Sequence, residues 1–82
     1  MKRKRLPKKE RNILGPRLRQ AREKAELSQE EAVALLEDKH GLVIHRPALS
    51  NIESQQRSID DYEIQALASV YDVSAAWLFG EE

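Results

Sequence analysis

Two side chains in this 82-residue sequence have the chemistry to read nucleobase edges. Arg46 carries a planar fork of donors that matches O6 and N7 of guanine, and Asn51 carries an amide that pairs with N6 and N7 of adenine. Both lie in the segment Arg46-Pro47-Ala48-Leu49-Ser50-Asn51, which, wound as a helix, turns Leu49 and Ile52 inward and leaves Arg46, Ala48, Ser50 and Asn51 outside. Pro47 offers apolar contact only, of the kind a thymine methyl accepts. The stretch from Leu27 to Asn51, followed at once by Ile-Glu-Ser, reads as two helices joined by a polar break, a layout suited to laying a helix in the major groove of DNA.

Other chemistries find less support. The length suffices for one small core, which excludes separate cofactor and substrate domains. Cysteine is absent, so disulfides, thiolate nucleophiles and sulfur-ligated zinc are excluded together. His40 and His45 stand five apart around Gly41, a poor spacing for joint metal ligation, and no metal or other cofactor is expected. No nucleophile stands in a recognisable motif with a base, and Ser28, Ser58 and Ser74 are better explained as helix caps, so the chain is not expected to be an enzyme.

The formal net charge of zero conceals an asymmetry. In the first twelve residues Lys2, Arg3, Lys4, Arg5, Lys8, Lys9 and Arg11 stand against Glu10 alone, so the remainder is acidic. No apolar segment follows this basic start as a secretory signal requires, and nothing approaches the roughly 20 apolar residues of a membrane span. The expectation is a soluble, intracellular protein with no membrane partner. Residues 1–12 read as a basic arm, either a disordered solvated tail or a segment that orders along phosphates when DNA is bound.

The elements that must position the reading segment are all helical, with no strand pattern, internal repeat or glycine-rich phosphate loop. Leu14, Leu18, Ala21 and Ala25 define the buried stripe of a first helix, with Pro16 in its first turn. Ser28 opens a second, with Glu31 completing a capping box and Val33 and Leu36, joined by Ala32 and Leu35, facing inward. Gly41 ends it in the left-handed conformation, and Leu42-Val43-Ile44 returns the chain to the core through a long turn. Pro47 is expected as the first residue of the third helix, with Arg46 extended before it. Ser58 with Asp61 predicts the cap of a fourth helix, with Ile59, Tyr62, Leu67 and Val70 buried and an end near Tyr71. Ser74 caps a short fifth whose Trp77, Leu78 and Phe79, closed by Gly80, either complete the core or form a dimer contact.

The runs LGPRLRQAREKAELSQEEAVALL, RPALSNIE and SIDDYEIQALASVYDVSAAWLFG resemble the helix-turn-helix domain of the Cro and phage-repressor type, the xenobiotic-response-element family, over about Ile13 to Gly80. The resemblance covers nearly everything but the arm. It implies an all-α, compact, five-helix, lambda-repressor-like domain at 13–80, with an acidic tail at 81–82, that binds operator DNA as a homodimer and reads it with helices two and three. Carried onto this sequence, Gln29 falls on the glutamine that meets a phosphate or the first base. His45, Arg46, Pro47 and Asn51, with Ser50 beside them, fall on the base-reading positions, and Gln56 and Arg57 on the loop that grips the backbone. Arg22 and Glu53 match a pair that the family uses internally. The sequence departs from the pattern in the order Ala32-Val33, in the lengthened connection before the third helix, and in Ser54-Gln55-Gln56, where a non-glycine must close that helix.

An acidic body repels phosphate at long range, but the local field governs contact. Arg17, Arg19, Arg46 and Arg57 are expected on the groove side with the arm, and Glu63, Asp72, Glu81 and Glu82 facing away. The expected function is sequence-specific regulation of transcription from double-stranded DNA, as a repressor or as the DNA-binding antitoxin of a toxin pair, in the cytoplasm of a bacterium or the nucleus of a eukaryotic cell. The alternative is a protein-interaction module on the same fold, acting through its apolar C-terminal turn or acidic face. No small-molecule site is evident.

Overall fold

The computed structural model describes residues 10–82; the arm residues Lys2, Arg3, Lys4, Arg5, Lys8 and Lys9 lie outside the described residues. Five helices follow one another: α1 (Gly15–Lys24), α2 (Gln29–His40), α3 (Arg46–Glu53), α4 (Asp61–Tyr71) and α5 (Ala75–Leu78). The described residues contain no strand. α3 rests on α1 and α2, α4 on α1 and α2, and α5 on α4. Every element supplies a fully buried side chain to one core: Leu14 and Leu18, Leu36, Ile44 from the α2–α3 connection, Leu49 and Ile52, Leu67, and Leu78. Each such side chain contributes roughly 1.5–3 kcal/mol over an exposed one, so the small domain depends on nearly all of them.

The caps explain where the helices start. Ser28 accepts from the Glu31 amide while the Glu31 carboxylate accepts from the Ser28 amide, which satisfies two orphan donors at the head of α2. At the head of α1 the work is done by Asn12, whose Oδ1 accepts from the amides of Leu14 and Gly15 at 2.9 and 2.7 Å. The Asn12 Nδ2 group donates to the carbonyls of Ile52 and Arg57, tying the start of α1 to the end of α3. The Arg11 amide donates to the Gln55 carbonyl as well. The folded body therefore takes in Arg11 and Asn12, ahead of the boundary that the sequence predicts at Ile13.

Each helix closes through a left-handed residue, at Glu26, Gly41, Gln55, Asp72 and Gly80, with φ between 58° and 78°. Around Gln55 the bonds from the Gln55 amide to the Ile52 carbonyl and from the Gln56 amide to the Asn51 carbonyl complete a Schellman closure without glycine. Gly41 meets the expectation for the end of α2, and Ile44 anchors the long connection by burying all but 2% of its surface. That anchor delivers His45 to the N-cap of α3 in an extended conformation.

Several expectations are corrected. α3 begins at Arg46, one residue before Pro47, since the amides of the whole first turn are unpaired and proline fits its second position too. Ala48 is half-buried against the core rather than outside. Ala25 is the exposed C-cap of α1 and not part of its buried stripe. The cap of α4 is Asp60, boxed with Glu63, in place of Ser58 with Asp61. With that start the buried face runs through Glu63, Leu67 and Tyr71, and Tyr62 is 76% exposed. Glu63 thus does not face away from the body but is buried, because the Arg57 guanidinium compensates its charge.

Candidate nucleic-acid interface

The outer surface of α3 is a small polar parallelogram. Arg46 and Ser50 are four residues apart, as are Pro47 and Asn51, so the two pairs stack along adjacent rows of one helix flank. Arg46, Pro47 and Asn51 are exposed, Ser50 is half-exposed, and His45 stands exposed at the N-cap. The opposite flank, Leu49 and Ile52, is buried against α1 and α2, and Glu53, two turns along from Arg46 at the end of the helix, is buried at the edge of that packing. A helix carried in this way by two others presents its donors on a rigid support.

Behind this flank lies a buried ion pair. Arg22 donates through Nε to Glu53 Oε2 at 2.7 Å and through Nη2 to Glu53 Oε1 at 3.2 Å, the paired geometry that suits a guanidinium and a carboxylate. Only 11% of the Arg22 side chain and 5% of the Glu53 side chain reach solvent. The Arg22 Nη1 atom donates to the Leu27 carbonyl, so the pair also fixes the α1–α2 turn. The Glu53 hydrogen bond raises the proton affinity of Arg22 above that of a free arginine, against the opposing effect of burial. Gly15 is what lets α1 come so close: a Cβ on it would lie 2.6 Å from the carbonyl oxygens of both Ile52 and Glu53.

Gln29 opens α2 beside this pair. Its Nε2 donates to Glu53 Oε1 at 3.1 Å and its Oε1 accepts from Arg46 Nη1 at 3.2 Å. In front of it lies a cleft lined by Arg19, Arg22, Gln29, Ser50, Glu53 and Ser54. Arg19 is exposed and pairs along α1 with Glu23 at 3.0 Å. Gln56 is exposed in the loop after α3.

Two arginines expected at phosphates are engaged elsewhere. The Arg17 guanidinium lies 3.8 Å from the centre of the Trp77 ring, and its Nε and Nη2 donate to the Trp77 carbonyl, so it fastens α1 to α5. Arg57 spans the α3–α4 loop with both Nη atoms on the Glu63 carboxylate, at 3.0 and 2.9 Å. That bond, helped by the Asp60 amide and opposed by burial, holds the Glu63 carboxyl below the usual glutamate range. The structure thus brings together His45, Arg46, Pro47, Ser50, Asn51 and Gln29, and sets Arg17 and Arg57 on bonds of their own. Sequence reading missed Asn12 and Gly15. A glycine directly before the proline of a helix's first turn, where no left-handed turn calls for it, is the signal of close backbone approach that was legible there.

With this geometry in view the family is shown: the family model described as helix-turn-helix matches residues 18–78, and the chain belongs to that family in its Cro and xenobiotic-response-element form. The chain is accordingly a DNA-binding regulator, of a family that is not typically enzymatic. No curated protein and no solved structure matches it. Among the described residues no helix is long and apolar enough to cross a membrane.

Proposed function

We propose that the protein is a sequence-specific repressor that binds a palindromic operator as a homodimer, with Arg46, Pro47, Ser50, Asn51 and His45 facing base edges and Gln29, Arg19 and Gln56 the backbone. The observation that carries this reading is the division of α3 into a fully buried flank and an exposed polar one. Arg46 suits guanine and Asn51 adenine. The basic residues before Glu10 add phosphate contacts that position the domain without specifying sequence.

The dimer contact is assigned to α4 and α5, where Tyr62, Ile64, Ala68, Ala75 and Phe79 line an open apolar groove. Of the two roles open to the Trp77-Leu78-Phe79 turn, Leu78 takes the core one at 1% exposure, and Trp77 is half-buried beneath Arg17. Phe79, at 45%, is what remains of the expected aromatic contact, joined by Tyr62.

Selection of bound sequences from a random DNA pool at two salt concentrations tests the proposal. An inverted-repeat motif is expected, with Asn51→Ala losing roughly 1–3 kcal/mol of discrimination at one base position per half-site. Removing residues 1–9 is expected to weaken binding to all sequences alike and to flatten the salt dependence by about 0.9 in slope for each phosphate that those residues neutralise. Retention of every sequence equally would overturn the repressor reading in favour of a protein-interaction module acting through the α4–α5 groove.

A further inference from the structure

We propose that Val43, in the connection between α2 and α3, is a further specificity-determining residue whose side chain reads the methyl group of a thymine outside the bases assigned to α3. The inference rests on the reading of α3 as the base-reading helix. Of the large apolar side chains exposed among the described residues, Tyr62 and Phe79 line the α4–α5 groove and Ile13 stands ahead of α1. Val43, at 55% exposure, alone adjoins the head of α3.

Single exposed apolar side chains are ordinary on a protein surface, and what sets Val43 apart is how it is held. Five residues, Gly41–His45, join α2 to α3. Along them burial alternates: Leu42 packs against the core, Val43 is exposed, Ile44 keeps 2% of its surface and His45 is exposed again. That is the period of an extended chain, so Val43 and His45 lie on one outer side, about 7 Å apart. The Leu42 amide donates to the Leu36 carbonyl at 3.2 Å and Ile44 is sunk in the core, so the backbone is fixed on both sides of Val43. Valine is also stiff at χ1, and its two methyl groups are therefore in place before any partner arrives.

With His45, Arg46 and Pro47 exposed in turn, the outward strip of α3 continues backward into the connection as far as Val43. Chemistry limits what Val43 can read there. Its side chain neither donates nor accepts a hydrogen bond, and the apolar group that a base pair displays in the major groove is the thymine methyl. Val43 precedes Arg46 by three residues, an extended span of about 10 Å, while successive base pairs rise by about 3.4 Å. The thymine is therefore expected within about three base pairs of the base read by Arg46, on the side away from Asn51. An uncharged contact of this kind adds discrimination without adding attraction for phosphate.

The test uses the whole chain and an operator taken from the random-pool selection, with its thymines replaced one at a time by uracil. Uracil keeps every hydrogen-bonding group of the base and loses only the methyl. The position read by Arg46 is located with Arg46→Ala. At the thymine assigned to Val43, uracil should weaken wild-type binding roughly fourfold, the worth of burying about one methyl group. Val43→Ser and Val43→Ala, two variants at an exposed position, both remove the γ-methyls. Each should bind the thymine operator more weakly by about the same factor, bind the uracil operator as wild type does, and no longer distinguish the two. Pro47→Ala should keep the distinction at that position. The inference is overturned, with α3 left as the reading helix, if no thymine within that distance is sensitive to uracil, if the sensitivity survives in both Val43 variants, or if Pro47→Ala abolishes it. A wild type without any base preference overturns both readings.

Discussion

The Arg22–Glu53 pair makes an asymmetric prediction. In Arg22→Met the Glu53 carboxylate keeps Gln29 as a donor but loses both guanidinium bonds while its side chain stays 5% exposed. A buried charge left in this way costs about 3–5 kcal/mol. A domain of this size holds only about 4–12 kcal/mol in total, and each 1 kcal/mol moves its melting temperature by roughly 4–8 °C, so the variant should melt at least about 12 °C lower or be unfolded at room temperature. Glu53→Met should cost less, because Arg22 keeps its bond to the Leu27 carbonyl and its long stem can carry the charge to water. The double variant Arg22→Met/Glu53→Met removes both charges at once and should be more stable than Arg22→Met alone. Urea unfolding, followed in parallel by Trp77 fluorescence and far-ultraviolet circular dichroism, measures all three free energies and checks two-state behaviour. A loss below about 1 kcal/mol in Arg22→Met, the range of exposed ion pairs, would refute the reasoning, as would additive costs in the double variant.

Three further outcomes follow from single sites. The Tyr71 hydroxyl is buried with no hydrogen-bond partner among the described residues, so Tyr71→Phe should leave stability unchanged or raise it by about 1 kcal/mol in urea unfolding at pH 7. Burial, then the charge of Glu53, pushes the Tyr71 phenol well above its ordinary value near 10, so wild type should lose stability as pH rises past 10, and the variant should lose less. Glu63 is held below its ordinary value by Arg57, so its contribution is complete above the unfolded-state value and vanishes as pH falls through the folded one; the stability gap between wild type and Glu63→Gln should shrink from pH 7 to pH 3. Glu26 adopts φ 62° at the end of α1, where glycine is unstrained, so Glu26→Gly should raise the unfolding midpoint by the equivalent of about 0.5–1 kcal/mol, and Glu26→Ala, strained in the same way, should not.

What the sequence made legible was whatever is decided within one or two turns of helix. The Ser28–Glu31 box, the proline in the first turn of α1 and the left-handed Gly41 are local rules, and the helices begin and end by them. The start of α4 escaped because Ser58-Ile59-Asp60-Asp61-Tyr62-Glu63 holds two overlapping capping patterns, and the choice between them is made from outside, by an arginine six residues before Glu63. Tyr62 looked like core because aromatic side chains usually are, yet the inward slot beside it is taken by Glu63 once Arg57 has compensated its charge. The outward flank of α3 was legible because the spacing of Leu49 and Ile52 sets it. The hydrogen bonds behind that flank join residues 17 to 31 positions apart, and no local pattern carries such distances.

The arginines show how the acidic body and the proposed DNA-facing surface are reconciled. Arg17 is spent on Trp77, Arg22 on Glu53 and Arg57 on Glu63, so three cations that a count of charge would assign to phosphate hold the fold together. Arg19 is half-spent on Glu23. Among the arginines of the five helices, Arg46 alone is bound to a neutral side-chain amide and keeps its full charge at the outer surface. A body built in this way has little general attraction for a polyanion and one well-aimed cation. Under the proposed function this separates the two components of binding: non-specific affinity falls mainly to the basic residues ahead of Glu10, and discrimination to the few side chains on α3. Tight binding to random DNA by the body alone would be hard to reconcile with arginines turned inward, whereas a loss of operator affinity on altering Arg46, with affinity for random DNA nearly unchanged, is what this division of labour requires.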